Sequence, residues 1–214
     1  MRLVDIDKLL PEDVPAGEAV LWHGRPDWRS LARRAFHVDV AAAYFAAISM
    51  WAFIDVADEA GFVAGLASAG RAAALGVLAC LILGFLAWLS ARTTLYVITS
   101  RRVVMKIGIA LPIFFNLPHS TIVSAALRTY RGGTGDIPLT LTPGRRIAYL
   151  HLWPHARPFC FSAPQPSLRA VPDAHDVADI LAGALSKAGA TGAHARAEVG
   201  KTTAKPGLAG AVAA

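Results

Sequence analysis

Two long apolar stretches constrain this chain more than anything else in it. "AFHVDVAAAYFAAISMWAFIDV" occupies residues 35–56 and "AAALGVLACLILGFLAWLS" residues 72–90. At about 1.5 Å rise per residue, helices of these lengths reach roughly 33 and 28 Å, enough to cross the hydrocarbon core of a bilayer. The second stretch carries no charge, and the first carries only Asp39 and Asp55, close to its ends. A helix that is apolar on every side needs lipid around it or a very large protein core. A chain of 214 residues cannot supply such a core, and a mean hydropathy of +0.45 sets it apart from ordinary soluble domains. The expectation is a transmembrane hairpin, with spans 35–56 and 72–90 joined by a loop over 57–71.

Charge sets the orientation. Arg25, Arg29, Arg33 and Arg34 precede the first span, and Arg92, Arg101, Arg102 and Lys106 follow the second, whereas the connecting segment has Arg71 with Asp58 and Glu59. Lys and Arg accumulate on the cytoplasmic side of short membrane flanks, so both termini are expected in the cytoplasm and the loop in the periplasm. "RRAF" at residues 33–36 resembles a twin-arginine export signal, but acidic "PEDVPAGE" precedes it and a second span follows. The net charge of +6 and pI near 9.7 come largely from residues placed where anionic head groups would lie. Membrane lipids are therefore the expected partners, not nucleic acid. Cys80 sits within a span and Cys160 far from it, neither with metal-ligand spacing, so no disulfide, metal or other cofactor is expected.

Beyond Arg92 the periodicity changes from helix to strand. "TLYVITSRRVVMKIG" alternates, reverses at "SRR" and continues in β-branched residues. "PIFFNL", "STIVSAALRTY", "DIPLTLT" and "RRIAYLHLW" read as further strands, separated by the turn-forming "RGGTGD" and "TPGRR". Pro138 lacks an N–H and predicts an edge strand or a strand start. In "PDAHDVADILAGALSKAG" Asp173 is a capping residue, and Val177, Ile180, Leu181, Ala184 and Leu185 line one helical face. Lys187 and Gly189 suit the end of that helix. Residues 1–34 form a polar amino-terminal segment in which Trp22 and Trp28 sit at the membrane interface or pack on the later domain. Residues 190–214 have no aromatic residue and read as a disordered tail. The fold class is membrane α+β: a two-helix transmembrane hairpin and a cytoplasmic antiparallel β domain, residues 91–189, capped by a carboxy-terminal helix.

That order of strands and one final amphipathic helix resembles a bacterial pleckstrin-homology-like (PH-like) domain. "GEAVLWHGRPDW", "TLYVITSRRVVMKIGIALP", "NLPHSTI", "GTGDIPL", "YLHLWPHARPF" and "PQPSLRAVPDAHDVADILAGAL" together are similar to the PuhB family of photosynthetic complex assembly proteins of purple phototrophic bacteria. The resemblance covers residues 17–186. It implies a multi-pass protein of the inner (intracytoplasmic) membrane that assists assembly of the reaction centre and light-harvesting complex 1. Its implied partners are reaction-centre and core-antenna membrane subunits, and it implies no catalysis. A membrane-tethered adaptor for lipid head groups or another membrane complex is the competing reading.

Several residues are candidates for the partner surface. Ala72, Gly76, Cys80 and Gly84 recur every fourth position and allow close helix approach. Ala42 with Ala46, or Ala43 with Ala47, does the same on the first span. Those stripes either pack on each other or leave one free for a client helix or a homodimer. "LHLWPHARPF" presents Trp153, His155, Arg157 and Phe159 in a loop stiffened by Pro154 and Pro158, either as a client-contact surface or packed on the sheet. Arg101 and Arg102 are expected near anionic lipid. His37 at the start of the first span suits an interfacial site or, less simply, a pigment ligand, and Asp39 could meet Arg92. Catalytic readings are weak. His151 and His155 lie i, i+4 on a segment that does not read as a helix, and Asp136 in "GTGDIP" suits local backbone bonding.

Overall fold

The computed structural model describes residues 17–109, 111–130, 132–142, 147–158, 160 and 164–203. A strand β1 (Val20–Gly24) and a short helix α1 (Trp28–Arg34) precede two long antiparallel helices, α2 (Val38–Ala60) and α3 (Phe62–Thr93). Both are long and apolar enough to cross a membrane. Many of their large side chains, among them Met50, Trp51, Leu78, Leu81 and Phe85, point outward, while at the contact glycines of α3 receive Phe45, Phe53 and Ala57 of α2. A Cβ on Gly65 would stand 2.9 Å from the Phe53 carbonyl oxygen, and one on Gly76 would stand 2.5 Å from the Phe45 Cβ. Large residues outside and glycine between is the packing expected where lipid is the solvent.

The loop expected over 57–71 is instead helical except at Gly61, whose φ of 85° suits glycine. The polar residues Asp58, Glu59 and Arg71 mark where hydropathy falls, but alanine-rich "FVAGLASAGRAAA" keeps helical backbone favourable through that boundary.

Strand β2 (Leu95–Thr99) leaves α3 after the single residue Thr94, whose N–H bonds the Ser90 carbonyl at 3.0 Å. It pairs with β3 (Arg102–Ile107), and β3 pairs with β4 (Ile113–Pro118), all antiparallel. The free edge of β2 takes β1, with Trp22 opposite Ile98. The amino-terminal segment therefore supplies the first strand of this sheet, and Trp22 takes the second of its two expected places, packed on the core of the later domain. A five-residue strand whose partner lies on the far side of both spans leaves no local signature.

The second sheet centres on β7 (Gly135–Leu141), which pairs with β5 (Ile122–Ala125), β6 (Arg128–Thr129) and β8 (Ser167–Val171). Pro138 is thus inside a strand, not at an edge or a start. Its carbonyl accepts from Ala126 N–H at 3.2 Å, in the gap between β5 and β6, where a missing donor costs least. Residues 149–152, expected as strand, form a single helical turn α4 (Tyr149–Leu152) before Pro154; residues 145–146 lie outside the described residues.

The two sheets enclose Tyr96, Ile98, Val103, Met105, Leu117, Ile137, Leu139 and Leu168, and α5 (Ala174–Thr203) covers them with Val177 and Leu181. At the start of α5 the main-chain carbonyl of Asp173, not its side chain, accepts from Val177 N–H at 3.2 Å. The helix does not stop at Gly189, so residues 190–203 are not the tail expected from composition. The alanines of "AGATGAHARAEV" are strong helix formers, and a helix already nucleated by its docked first turns extends through them. Residues 204–214 lie outside the described residues.

Candidate functional site

The most constrained polar chemistry lies where α3 becomes β2. Ser90 and Thr94 share one face at i, i+4, and Tyr96 follows Thr94 at strand spacing, so all three converge. His155 fills the space between them. Its Nε2 lies 3.0 Å from Thr94 Oγ1 and 3.5 Å from Ser90 Oγ, and its Nδ1 lies 2.6 Å from the Tyr96 hydroxyl. The ring is fully buried. Burial, with the Arg169 charge nearby, pushes its pKa down to about 3, so it is neutral. Burial also pushes the Tyr96 phenol up. The network closes when Arg169 N–H donates to the Tyr96 oxygen at 3.1 Å, Tyr96 donates to Nδ1, and Nε2–H donates to Thr94.

Arg169 extends this network across the junction. Its Nη1 donates to the Pro154 carbonyl at 3.3 Å and its Nη2 to the Arg34 carbonyl at 3.0 Å. Its Nε lies 3.3 Å from Asp136 Oδ2, within ion-pair range but not aligned as a hydrogen bond. Asp136 also accepts from the Tyr130 hydroxyl at 2.7 Å and from Ala170 N–H at 2.8 Å. Both charged side chains are buried, and their mutual compensation is what makes that burial tolerable. Burial, reinforced by the Asp136 carboxylate, raises the Tyr130 pKa. Beside this network α1 packs Leu31 and Ala32 on Ala87 and Ala91 of α3. Asp27 caps α1 at Ser30 N–H and donates its own N–H to the Ala170 carbonyl at 2.7 Å. Helix pair and β domain are thereby fastened through α1, α3, β2, β7 and β8 at once.

The candidate partner residues do not form one surface. His155 is an internal bolt, not an exposed contact, because three hydroxyl-bearing side chains surround it in a closed space. Trp153 is 48% exposed and meets Phe36 edge-on at 5.2 Å. Arg157 is exposed and donates to Gln165 at 2.9 Å; Phe159 lies outside the described residues. Of the small-residue stripe, Gly76 is occupied by Phe45 and the Cys80 thiol faces the Val38 carbonyl at 4.0 Å. A Cβ on Gly84 would meet nothing within 4 Å among the described residues. Alongside Gly76 and Cys80 an apolar groove of about 750 Å³ opens between α2 and α3, with Phe45, Ser49 and Phe53 on its other wall.

Arg102 is not a free lipid contact, since it pairs with Glu18 through Nε at 2.8 Å and Nη2 at 2.9 Å. Arg101 is exposed, but the turn it occupies is one strand length from the end of α3, about 17 Å at strand rise. Asp39 lies 3.9 Å from Arg33, not beside Arg92, whose guanidinium stacks over Trp88 at 5.3 Å. His151 is exposed while His155 is buried, so the two do not converge. Among the described residues no group of three or more His, Cys, Asp or Glu is placed to hold a metal.

Sequence reasoning missed Arg169, and with it Ser90, Thr94 and Tyr96. The available signal was an arginine inside the apolar strand "SLRAV", which requires a buried acid elsewhere, and Asp136 in "GDIPL" is that acid. A second feature it missed is a cleft of about 580 Å³ between the first turn of α2 and the β domain, walled by Arg33, Arg34, Arg128, Tyr130 and Arg157.

A membrane helical hairpin carrying an α+β domain of this topology defines the class, and the bacterial PH domain family matches residues 40–185. The chain belongs to that family, and its resemblance to the PuhB group within it is supported by a relative. An uncharacterized 23.7 kDa protein encoded in the puhA 5′ region of Rhodobacter capsulatus is 37% identical over 176 residues, which are 80% of this chain and 81% of the relative. No solved structure matches the chain significantly. The family match begins within α2 and leaves out β1 and α1, which the structure brings into the domain.

Proposed function

We propose that this chain is an assembly factor for the photosynthetic reaction centre and light-harvesting complex 1. It would act from the inner membrane, with both termini cytoplasmic, by binding newly inserted membrane subunits. The observation that carries this reading is the puhA 5′ region in which the 37% identical relative is encoded. The geometry is compatible in two respects. The groove between α2 and α3 offers an apolar helix a place to compete with lipid, and the Trp153–Phe36 pair presents an aromatic edge beside the helix ends. On this reading no residue has a catalytic role, and His155 serves to fix the domain on the hairpin.

Deletion of the gene from its host tests the reading. Reaction-centre absorbance and complex yield should fall while pigment synthesis continues, and the intact gene supplied in trans should restore them. Normal absorbance in the deletion strain would refute the assembly role and leave a membrane adaptor of other purpose.

A further inference from the structure

We propose that the cleft between the start of α2 and the second sheet binds the phosphate-bearing head group of an anionic membrane lipid. This goes beyond the assembly reading and does not depend on it. The lining carries Arg33, Arg34, Arg128, Arg157 and Arg169 against Asp39 and Asp136, five positive charges and two negative, a balance of three positive. Asp136 is already matched by Arg169 on the floor. The four remaining arginines therefore face one carboxylate, that of Asp39, whose contact with Arg33 is long at 3.9 Å and open to solvent.

Two of these guanidinium groups are held by an aromatic ring. Arg34 lies over Tyr130 at 4.5 Å and Arg128 at 5.6 Å from the same ring. A stacked guanidinium keeps its N–H edges available, and those edges match the paired oxygens of a phosphate. Among the described residues no side chain caps the amino terminus of α2, which adds a favourable partial charge on the same wall.

Position distinguishes a lipid from a free anion. The cleft opens where the apolar run of α2 begins, at His37 and Val40, so its mouth stands at the level of lipid head groups. Val40, Leu127 and Pro138 give it apolar surface beside the arginines, as the glycerol and first methylenes of a lipid would require. Arg101 at the far end of β2 has neither feature.

Native mass spectrometry of the full chain, released from nanodiscs of equal parts phosphatidylglycerol and phosphatidylcholine, tests the site. The expected result is retention of one phosphatidylglycerol in preference to phosphatidylcholine. Arg34→Gln with Arg128→Gln should lower that preference about tenfold, as the loss of charge-assisted contacts predicts, and Arg101→Gln should leave it unchanged. Arg157→Gln, an exposed change with little bearing on folding, should give a smaller loss in the same direction. Equal retention of the two lipids, or an unaltered preference in both arginine variants, would overturn the proposal. So would displacement of the lipid by millimolar inorganic phosphate, which would identify a site for the free anion.

Discussion

Replacing His155 separates a residue that recognises partners from one that holds the fold together. In His155→Ala the Tyr96 hydroxyl loses the acceptor at 2.6 Å and Thr94 its partner at 3.0 Å. Both residues are fully buried, so water does not replace the imidazole freely. A buried polar group left without its partner costs about 1–3 kcal/mol, and the emptied volume adds to this. A loss of about 3–5 kcal/mol is expected, or a fall in Tm of roughly 10 °C for a chain of this size. The histidine also gives stability a pH dependence of definite sign. Its pKa drops from 6.5 to about 3 on folding, so below the unfolded value the unfolded chain binds a proton that the native ring refuses. The contribution is intact above about pH 6.5 and lost as pH falls toward 3, at about 1.4 kcal/mol per unit. Thermal unfolding of wild type and His155→Gln in the same detergent, at pH 7.5 and pH 5.0, isolates this share, because other titrating groups cancel in the difference. The wild-type advantage should shrink at the lower pH. A Tm for His155→Ala within 2 °C of wild type, the experimental margin allowed for about 1 kcal/mol, together with a pH-independent difference, would refute the bolt and return His155 to the surface.

The same junction and the helix pair give two further tests. Asp136→Asn leaves Arg169 buried beside a neutral amide and should cost about 3–5 kcal/mol, read as a lower denaturation midpoint. Within the hairpin, Gly76→Leu drives a side chain into Phe45, whose Cβ already stands 2.5 Å from the position of a new Cβ. Cross-linking of cysteines placed on facing positions of α2 and α3 should fall sharply in that variant. Gly84→Leu meets open space on the same stripe and should leave the cross-link at its wild-type yield.

The spans were legible because hydropathy is a local property, summed over one window and indifferent to where the chain goes next. The strands β2, β3, β4, β5 and β7 could be read for the same reason, since a short run of β-branched and aromatic residues bounded by turn formers is also a local property. What escaped were features made by distance. Strand β1 acquires its identity from pairing with Thr99 and Ile98 across both helices, and His155 acquires its role from Ser90, Thr94 and Tyr96, which approach it only once β2 emerges from α3. For "LHLWPHARPF" the sequence left both an exposed contact and packing on the sheet open, because tryptophan, histidine and arginine are common at interfaces and can also be buried when partnered. The fold divides them: Trp153 half-exposed, His155 enclosed, Arg157 outside. The helices run on through most of 57–71 and beyond 189 because the end of an apolar face is not the end of a helix where alanine follows.

Asp136 also decides whether the cleft depends on charge alone or on the joint beneath it. Neutralising Asp136 raises the positive balance of the lining, so a purely electrostatic site should retain phosphatidylglycerol more strongly in Asp136→Asn. The geometry argues the reverse. Arg169 holds the Arg34 carbonyl at 3.0 Å only while Asp136 fixes its guanidinium from the other side, and Tyr130, the ring against which Arg34 and Arg128 stack, is held by its own bond to Asp136 at 2.7 Å. With the carboxylate gone, the α1 end of one wall and the aromatic centre of the other lose their common anchor. Retention by folded Asp136→Asn, measured well below its Tm, should therefore fall below wild type despite the added charge. Stronger retention would show that the arginines act as a diffuse field and that the order imposed by the buried pair has no part in binding.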